Sequence, residues 1–397
     1  MIQNIEIRNF KSIKKKHFAL KNLNVLLGLN GQGKSSFIQF LLLLRQSELE
    51  SGRLNLSGRY VNIGSTKDAI YQYHNGENLG FDIQFEETQE YVTMKFDYQI
   101  GANVFEGVMY SEENLDELDY WFTKMLPFYK EYFGAKKEQG LFANNNFQYL
   151  KADRISPTTI HQKNHSAVVT YNNIGDMGEF AVDFLETKGS ERIKFKNCIH
   201  PKTQQSTNNQ NEIIKDDKLL NQVNLWLSEI SPNVSIKTTA ISSNAVKLEY
   251  QFAQPTYGTS NAFMPENVGF GISYALPVIT ALLAARENEL LIIENPESHI
   301  HPRGQAELGK LIALVAQNNV QIIVETHSDH ILNGIRVAVK EKDIAKENVV
   351  AFYFNKVVEP TEQYSHITDI QIDKNGELSD YPKDMLDEWS NQLFKLM

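Results

Sequence analysis

Residues 28–36, Gly-Leu-Asn-Gly-Gln-Gly-Lys-Ser-Ser, match the pattern G-x-x-x-x-G-K-[ST] at every position. Such a loop binds phosphate because its glycines let backbone N–H groups turn inward, and because the following helix adds its positive dipole end. Apolar residues 23–27 predict a strand before the loop, and residues 36–45 predict a helix after it, which is the context that the motif requires. The alternative is a glycine-rich turn without a ligand. The pattern predicts ligand contacts at Asn30, Gly31, Gln32, Gly33, Lys34, Ser35 and Ser36.

A carboxylate that would complete a magnesium site follows the predicted strand at residues 290–293. Glu294 comes directly after four apolar residues, and ligands of open α/β sheets gather at the carboxyl ends of strands. We expect Mg²⁺ to be held by the Ser35 hydroxyl and, through water, by Glu294, while Lys34 reaches the β- and γ-phosphates. The alternative for Glu294 is a carboxylate that caps the next turn.

A histidine follows the next predicted strand, residues 320–324. His327 stands a few positions past this strand, with Glu325 near it. At such a place a histidine can contact a terminal phosphate or orient an attacking water. The alternative is a histidine that is hydrogen-bonded within a helix cap.

A second anion site is predicted where Gly269, Gly271 and Ser273 open a helix over residues 271–286. Bare N–H groups at a helix start favour negative charge. Because residues 28–36 already form one phosphate site, the second fits best if it contacts a nucleotide bound to another copy of the chain. The alternative is a tight helix entry without a ligand.

His299 and His301 allow a zinc site as a further alternative, together with Glu297, His327 and His330. The chain has no pair of cysteines to strengthen that interpretation, and the histidines lie one loop past a carboxylate of the magnesium-binding type. The favoured interpretation is a loop that crosses a dimer interface.

Composition limits the class of protein. The 397 residues carry a net charge of −10, which argues against a protein that wraps nucleic acid but not against a local basic groove. The basic run at residues 14–16 is interpreted as a solvated hairpin tip, with a patch that faces the edge of a nucleotide or DNA as the alternative. A single cysteine, Cys198, excludes an internal disulfide, and no apolar run is long enough for a membrane span. The first residues form a strand pattern, which argues against a signal peptide. These features predict a cytoplasmic protein.

The order of strand and helix patterns predicts an α/β fold with a mixed sheet flanked by helices. Apolar strands alternate with helices in residues 265–356, whereas residues 51–264 are rich in turn residues and alternating aromatics. We expect residues 1–50 and 265–356 to form one discontinuous head, residues 51–264 an inserted α+β lobe, and residues 357–397 a C-terminal tail. A helix is expected over residues 112–134 within the lobe.

Together these segments resemble the ABC-type ATPases of the RecF, structural-maintenance-of-chromosomes (SMC) and overcoming-lysogenization-defect (OLD) kind, which are often called AAA ATPases. The resemblance covers residues 1–50 and 265–356. Its most specific parts are residues 294–302, Glu-Asn-Pro-Glu-Ser-His-Ile-His-Pro, and residues 326–330, Thr-His-Ser-Asp-His.

The resemblance implies a P-loop NTPase fold of the ABC-ATPase type. It makes residues 28–36 the Walker A loop, Glu294 the Walker B acid, His327 the switch histidine and residues 269–273 a reduced signature motif. It also implies ATP and Mg²⁺ as cofactors. Two copies of such a protein would meet head to head around two ATP molecules.

One position departs from the pattern of these relatives. The residue after the Walker B acid is usually a catalytic glutamate, and here it is Asn295. An amide cannot take a proton from water. We expect slow hydrolysis, with Glu297 or His327 assisting in place of the missing base.

The C-terminal region predicts no nuclease domain of the kind that OLD relatives often carry. Few residues follow His330, and the acids Asp369, Asp373 and Asp380 are scattered. Similarity to ATPases encoded in bacterial anti-phage defence operons implies that a separate protein supplies the effector.

These observations predict an Mg²⁺-dependent ATPase head that dimerises around ATP and gates a partner effector or a DNA transaction in anti-phage defence. The first alternative is a scaffold or sensor that ATP locks with little or no turnover, which Asn295 favours. A second alternative is a DNA-repair ATPase of the RecF kind. A third is a DNA sensor that uses Lys11, Lys14, Lys15 and Lys16.

Overall fold

A computed structural model describes residues 1–47, 49, 52–86, 91–107, 145–207, 213–254, 258–383, 385 and 388–397. The helix predicted over residues 112–134 lies outside them. The chain divides into two compact units: unit 1 comprises residues 1–146, 350–371 and 380–397, and unit 2 comprises residues 147–349 and 372–379. The division into a head, an inserted lobe and a tail stays a prediction.

Strands account for much of the described chain. They are β1 (Ile2–Phe10), β2 (Ile13–Ala19), β3 (Leu23–Gly28), β4 (Arg53–Asn55), β5 (Leu79–Phe85), β6 (Val92–Asp97), β7 (Val104–Gly107), β8 (Phe147–Leu150), β9 (Ile160–Gln162), β10 (Gln205–Thr207), β11 (Ile213–Lys215), β12 (Val234–Ala240), β13 (Ala245–Gln254), β14 (Gly258–Thr259), β15 (Leu290–Glu294), β16 (Gln321–Glu325), β17 (Val349–Val358) and β18 (Gln363–Ile370).

The α-helices are α1 (Lys34–Gln46), α2 (Thr66–Ala69), α3 (Ala181–Lys188), α4 (Leu219–Ile230), α5 (Phe270–Ala284), α6 (Pro302–Ala316), α7 (Asp329–Lys340) and α8 (Glu388–Leu396). Short 3₁₀ or π turns lie at Ser166–Thr170, Lys196–Cys198, Pro265–Asn267 and Lys346–Asn348. Within the described residues, no helix is both long and apolar enough to cross a membrane.

Unit 1 contains an antiparallel sheet in the order β2–β1–β5–β6–β7–β4. Helix α1 packs on it through Phe40, whose ring lies 5.4 Å from the rings of both Phe10 and Phe81. Strand β3 has β17 as its neighbour, and β17 pairs with β18 in antiparallel register. The strand and the helix on either side of residues 28–36 are therefore both anchored in buried apolar layers.

The basic run at residues 14–16 lies within β2, so the prediction of a hairpin tip is wrong. The turn comes earlier, at Lys11, whose φ of 51° is left-handed. Each lysine of the run has an acidic partner: Lys14 reaches Glu362 at 2.7 Å, Lys15 reaches Glu6 at 3.4 Å and Lys16 reaches Asp369 at 2.5 Å. The pairing of β2 with β1, in which Lys15 lies opposite Arg8 and Lys16 opposite Ile7, decides this local structure.

Unit 2 contains the parallel strands β16, β15 and β8 in that order. Residues 290–293 and 321–324 are buried, as expected for strands that are covered on both faces. Helices α6 and α7 approach closely, since a Cβ at Gly309 would lie 2.3 Å from the Ile331 carbonyl oxygen. This packing holds α6 and α7 against each other, and both helices directly follow the predicted site segments.

Candidate functional site

The loop of residues 28–36 joins β3 to α1 in unit 1, and α1 begins at Lys34. Three of its glycines have positive φ angles, 134° at Gly28, 74° at Gly31 and 106° at Gly33. Glycine adopts such angles without steric cost. The glycine spacing therefore fixes a tight loop at a helix start, where backbone N–H groups without an intrahelical partner favour an anion.

Two of these glycines also lie so close to the C-terminal strands of unit 1 that a side chain would not fit. A Cβ at Gly28 would lie 2.3 Å from the carbonyl oxygen of Phe354 in β17, and one at Gly33 would lie 2.2 Å from Oγ of Ser365 in β18. The Ser365 hydroxyl also donates to the Gln32 carbonyl oxygen at 2.7 Å, across 333 positions of sequence. Residues assigned above to a tail thus support the loop.

Lys34 folds over the loop that precedes it. The residue is only 3% exposed, and its ammonium donates to the carbonyl oxygens of Gly28 at 2.8 Å and Leu29 at 3.0 Å. A charged group that is buried needs such partners. The contacts hold the Lys34 ammonium at the loop itself, which is where phosphate binding would require it.

The other predicted loop residues differ in their access to solvent. Ser36 is buried, with Oγ 3.4 Å from Oγ of Ser12. Exposed or half-buried positions are Asn30, Gly31, Gln32, Gly33 and Ser35. Ser35 is an exposed residue of the loop, whereas Ser36 serves the packing below the loop.

In unit 2, Glu294 ends β15 with both carboxylate oxygens held. The Tyr149 hydroxyl donates to Oε1 at 2.8 Å, and the Ala152 N–H donates to Oε2 at 3.3 Å. Burial of the Tyr149 phenol, and then the charge of Glu294, raise the pKa of Tyr149 well above its usual value of about 10. The phenol therefore stays protonated and acts as a donor to the carboxylate.

A buried arginine supports the main chain at the same strand end. Arg154 is 1% exposed and donates to the carbonyl oxygens of Glu294 at 2.5 Å and Asn295 at 3.1 Å. Burial lowers the pKa of Arg154 to about 10, against the opposing charges of Glu297 and Glu294. The guanidinium therefore remains protonated at neutral pH.

Asn295 adopts a left-handed backbone with φ of 44°, which asparagine tolerates better than most residues. Its N–H donates to the Glu325 carbonyl oxygen at 2.8 Å, which ties β15 to β16 beyond the last pair of the ladder. Its side-chain Oδ1 is buried and has no hydrogen-bond partner among the described residues. Whether Asn295 slows turnover stays a prediction.

Glu297 joins the segment after β15 to the segment after β16. Its carboxylate accepts hydrogen bonds from the Thr326 hydroxyl and from the His327 N–H, both at 2.8 Å. The His327 residue is exposed, and α7 starts just beyond it with Ser328 as N-cap. Glu297 therefore positions His327 through the backbone, a relation that the sequence did not predict.

The predicted signature segment forms the start of α5, with Gly269 as N-cap. A Cβ at Gly269 would meet nothing within 4 Å, while one at Gly271 would lie 2.4 Å from the His299 carbonyl oxygen. Ser273 is 8% exposed, and its Oγ lies 3.1 Å from the Tyr250 hydroxyl. Gly269 is thus open to a ligand, Gly271 permits close packing, and the Ser273 hydroxyl is bonded inside unit 2.

The histidines between β15 and α6 have separate surroundings. The exposed ring of His299 lies 4.8 Å from the ring of Tyr274, and His301 caps α6 by accepting the Arg303 N–H at 3.3 Å. Within the part of the chain that the structure describes, no group of three or more His, Cys, Asp or Glu could hold a metal ion. The zinc alternative thus gains no support, and the role of this loop in a dimer interface stays a prediction.

Sequence reasoning missed Tyr149, Arg154 and Ser365. Residues 147–153 have the apolar pattern of a strand, and a polar residue just past a strand end is the signal that could have pointed to Arg154. For Ser365 the sequence offers no such signal, because its contact with Gln32 arises from strand order alone.

The residues present fit ATP and Mg²⁺ in their chemistry. Each held carboxylate oxygen of Glu294 has a further lone pair, and Ser35, an exposed residue, carries a hydroxyl oxygen. Mg²⁺ prefers oxygen ligands of this kind and keeps several waters. The loop at the start of α1, with Lys34, fits a triphosphate.

Comparison with known proteins identifies the class. Residues 1–332 match the family model of the AAA ATPase domain, and residues 344–396 match a model described as a protein of unknown function (DUF3696). The chain therefore belongs to the AAA ATPase domain family. The search of curated proteins found no match.

Solved structures that resemble the chain are SMC heads. One is an SMC head bound to the C-terminal winged-helix domain of ScpA, with 14% identity, TM-score 0.50, and coverage of 94% of this chain and 98% of that one. A second is an SMC head with an extended coiled coil, bound to the C-terminal domain of ScpA and derived from Pyrococcus furiosus, with 13% identity, TM-score 0.49, and coverage of 100% and 99%. A third is the Thermotoga maritima SMC head domain, with 10% identity, TM-score 0.40, and coverage of 92% and 98%.

Only the first of these likenesses is close enough to support an argument, and it concerns the fold. The predicted fold class, an α/β P-loop NTPase of the ABC type with mixed sheets flanked by helices, is confirmed. The chain is an ATPase of the AAA family with the fold of an SMC head.

Proposed function

We propose that this protein binds Mg²⁺-ATP between two copies of itself, hydrolyses it slowly, and uses the closed state to gate a separate effector or a DNA transaction. The observation that carries the proposal is the glycine loop, in which the Lys34 ammonium is hydrogen-bonded to the Gly28 carbonyl oxygen. The same chain has the Glu294 carboxylate, which is oriented by a hydrogen bond from the Tyr149 hydroxyl. Bound Mg²⁺ would neutralise charge on the phosphates during their transfer.

Each predicted residue receives a role in that reaction. Residues 30–36 hold the phosphates, with Ser35 and Glu294 as the magnesium-binding pair. His327 contacts the terminal phosphate or the attacking water, and Glu297 keeps it in place through the backbone hydrogen bond of 2.8 Å. Asn295 supplies no base, which accounts for slow turnover.

The start of α5 is proposed to face a nucleotide on the other copy. Gly269 supports this, because it is exposed, caps a helix of fifteen residues and leaves room for a ligand. Gly271 and Ser273 remain proposed contacts, although the packing of Gly271 on His299 and the Tyr250 partner of Ser273 make Gly269 the stronger candidate.

The partner is proposed to be a protein. The SMC head of similar fold is bound to a winged-helix domain of ScpA, which supports partner binding in general. A role in anti-phage defence, a cytoplasmic location and the lack of a nuclease domain rest on the resemblance and on the sequence alone. DNA sensing through the basic run has less support, because its lysines are paired with Glu362, Glu6 and Asp369.

Release of phosphate from ATP tests the enzymatic proposal. Wild-type protein should hydrolyse ATP only with Mg²⁺, and Lys34→Ala should release no phosphate. Lys16→Ala in β2 is the control, because it also removes one lysine and should keep the wild-type rate. Equal phosphate release by the wild type and Lys34→Ala would contradict the ATPase.

The second candidate, an ATP-locked scaffold, is favoured by Asn295. It predicts that a fluorescent ATP analogue binds and that the particle mass doubles with ATP, while phosphate release stays at the level of Lys34→Ala. A monomer in all nucleotide states would exclude both versions.

A further inference from the structure

The segment that follows β8 passes the end of β15, where Glu294 stands. Strands β8 and β15 are parallel, with Tyr149 opposite Ile292 and Leu150 opposite Ile293. The chain beyond Leu150 therefore continues past the carboxyl end of β15. Neither a motif nor the resemblance assigns a role to this segment.

Residues 149–154 provide three groups that contact Glu294, the predicted magnesium-binding carboxylate, or Asn295 after it. The Tyr149 hydroxyl and the Ala152 N–H each hold one oxygen of the Glu294 carboxylate, at 2.8 and 3.3 Å. Arg154 holds the carbonyl oxygens of Glu294 and Asn295. The side chain and the main chain of the acid are thus both fixed, while each carboxylate oxygen keeps a lone pair for another ligand.

The burial of Arg154 is only partly offset by its contacts. Moving a guanidinium out of water is costly unless its charge is compensated. Arg154 forms no ion pair shorter than 4.0 Å among the described residues, although the charges of Glu297 and Glu294 act on it, and its buried Nε has no hydrogen-bond partner there. Groups that cost stability while they order a strand end are a mark of functional positioning.

We propose that Tyr149 and Arg154 are positioning residues for the magnesium-binding acid, Tyr149 through the Glu294 carboxylate and Arg154 through the main chain of Glu294 and Asn295. The inference rests on the proposed function, since it assumes that Glu294 acts on Mg²⁺. The Tyr149 phenol is part of a buried ring, so it restricts the rotation of the carboxylate at little entropic cost. The orientation is then set before the ion binds.

The test is the Mg²⁺ dependence of nucleotide binding in Tyr149→Phe, measured with a fluorescent ATP analogue. This change removes one oxygen and keeps the ring. Loss of an outer partner of a metal ligand typically weakens metal binding about 10-fold or more. The Mg²⁺ concentration for half-maximal binding should rise about 10-fold, while analogue binding without Mg²⁺ stays as in the wild type. Tyr353→Phe is the matched control, because the buried Tyr353 hydroxyl donates to the Lys383 carbonyl oxygen at 2.8 Å.

A second variant, Arg154→Lys, tests the hydrogen bonds of Arg154 to the carbonyl oxygens of Glu294 and Asn295. If Tyr149→Phe does not fold, this variant is sufficient to test the proposal. Lysine keeps the charge but cannot span two carbonyl oxygens as a planar guanidinium does. It should also raise the Mg²⁺ requirement without changing Mg²⁺-free binding. Adding Tyr149→Phe to Glu294→Gln should cause no further shift, since coupled residues are not additive.

The outcomes separate the inference from the proposed function. If the wild type binds the analogue with Mg²⁺ and the folded variants need no more Mg²⁺ than it does, the inference is wrong and the function stands. Equal weakening with and without Mg²⁺ would mean a general structural role, which also overturns the inference. A wild type that binds no nucleotide overturns the proposed function, and the inference with it.

Discussion

The glycine loop of unit 1 and the acidic strand end of unit 2 are built in opposite ways. The loop obtains its shape from residue types at fixed spacing, with positive φ angles at Gly28, Gly31 and Gly33. The strand end obtains its order from side chains, such as Tyr149, which is 145 positions away from Glu294. The backbone angles of the loop are encoded locally, although Phe354 and Ser365 also pack against it, whereas the order of the strand end depends on which strands become neighbours.

This difference predicts different responses to mutation. A change in the loop should act through backbone strain or through loss of the phosphate contact itself. A change at the strand end should reduce function only partly, because several hydrogen bonds together position Glu294 and His327. Substitutions in both regions can confirm or break that contrast.

The largest effect is expected from Lys34→Ala. The Lys34 ammonium lies on the loop, and it is the cation that would stabilise the charge of the terminal phosphates. Removal of one such group typically slows a reaction about 100-fold or more. Phosphate release should therefore fall to background. If Lys34→Ala retained more than half of the wild-type rate, the loop would not serve the reaction.

Gly28→Ala should destabilise unit 1 strongly. Its φ of 134° and the 2.3 Å approach to the Phe354 carbonyl oxygen combine backbone strain with overpacking, which together cost about 3 kcal/mol. Gly31→Ala is the matched control, since it has φ of 74° and open space around the added Cβ; the cost there is about 1 kcal/mol. Chemical denaturation measures both. Equal losses would show that the contact with β17 does not shape the loop.

Glu297→Ala should slow turnover about 10-fold, because the Thr326 hydroxyl and the His327 N–H lose a charged acceptor and His327 is no longer fixed. Steady-state phosphate release measures the effect. Glu341→Ala removes a surface carboxylate that pairs with Lys310 at 2.7 Å and should leave the rate unchanged. A normal rate in Glu297→Ala would mean that neither Glu297 nor the position of His327 matters.

The smallest effect is expected from Asn295→Glu, which should raise turnover several-fold by supplying a base. Asn295→Gln is the matched control, because glutamine has the size of glutamate and would occupy the same backbone position, with φ of 44°, but cannot accept a proton. Equal rates in the two variants, measured in single-turnover experiments, would count against Asn295 as the cause of slow hydrolysis.

The fold class and the loop could be predicted from sequence because their signals are local. Leu290 to Ile293 is an apolar run, and the glycines of residues 28–36 each require a particular backbone. Ser365 could not be predicted, because its partner is set by strand order, and the position of Arg154 just past a strand end was a signal that did not reveal its partners. The hairpin tip at Lys14 was wrong because a short basic run says little about where a turn lies.

A mixing experiment tests the central claim, that ATP is enclosed between two copies of the chain, most directly. Gly269→Asp should fold, since a Cβ there meets nothing and Asp is a favoured N-cap residue, but its charge would repel phosphates. Asn267→Asp is the control for the added charge.

Lys34→Ala and Gly269→Asp should each be inactive alone, and mixing them should restore phosphate release, because each mixed dimer contains one site with both groups intact. Restored activity together with an ATP-dependent dimer mass is the predicted result. Full activity of Gly269→Asp alone, or no recovery in mixtures that form dimers, would contradict the account.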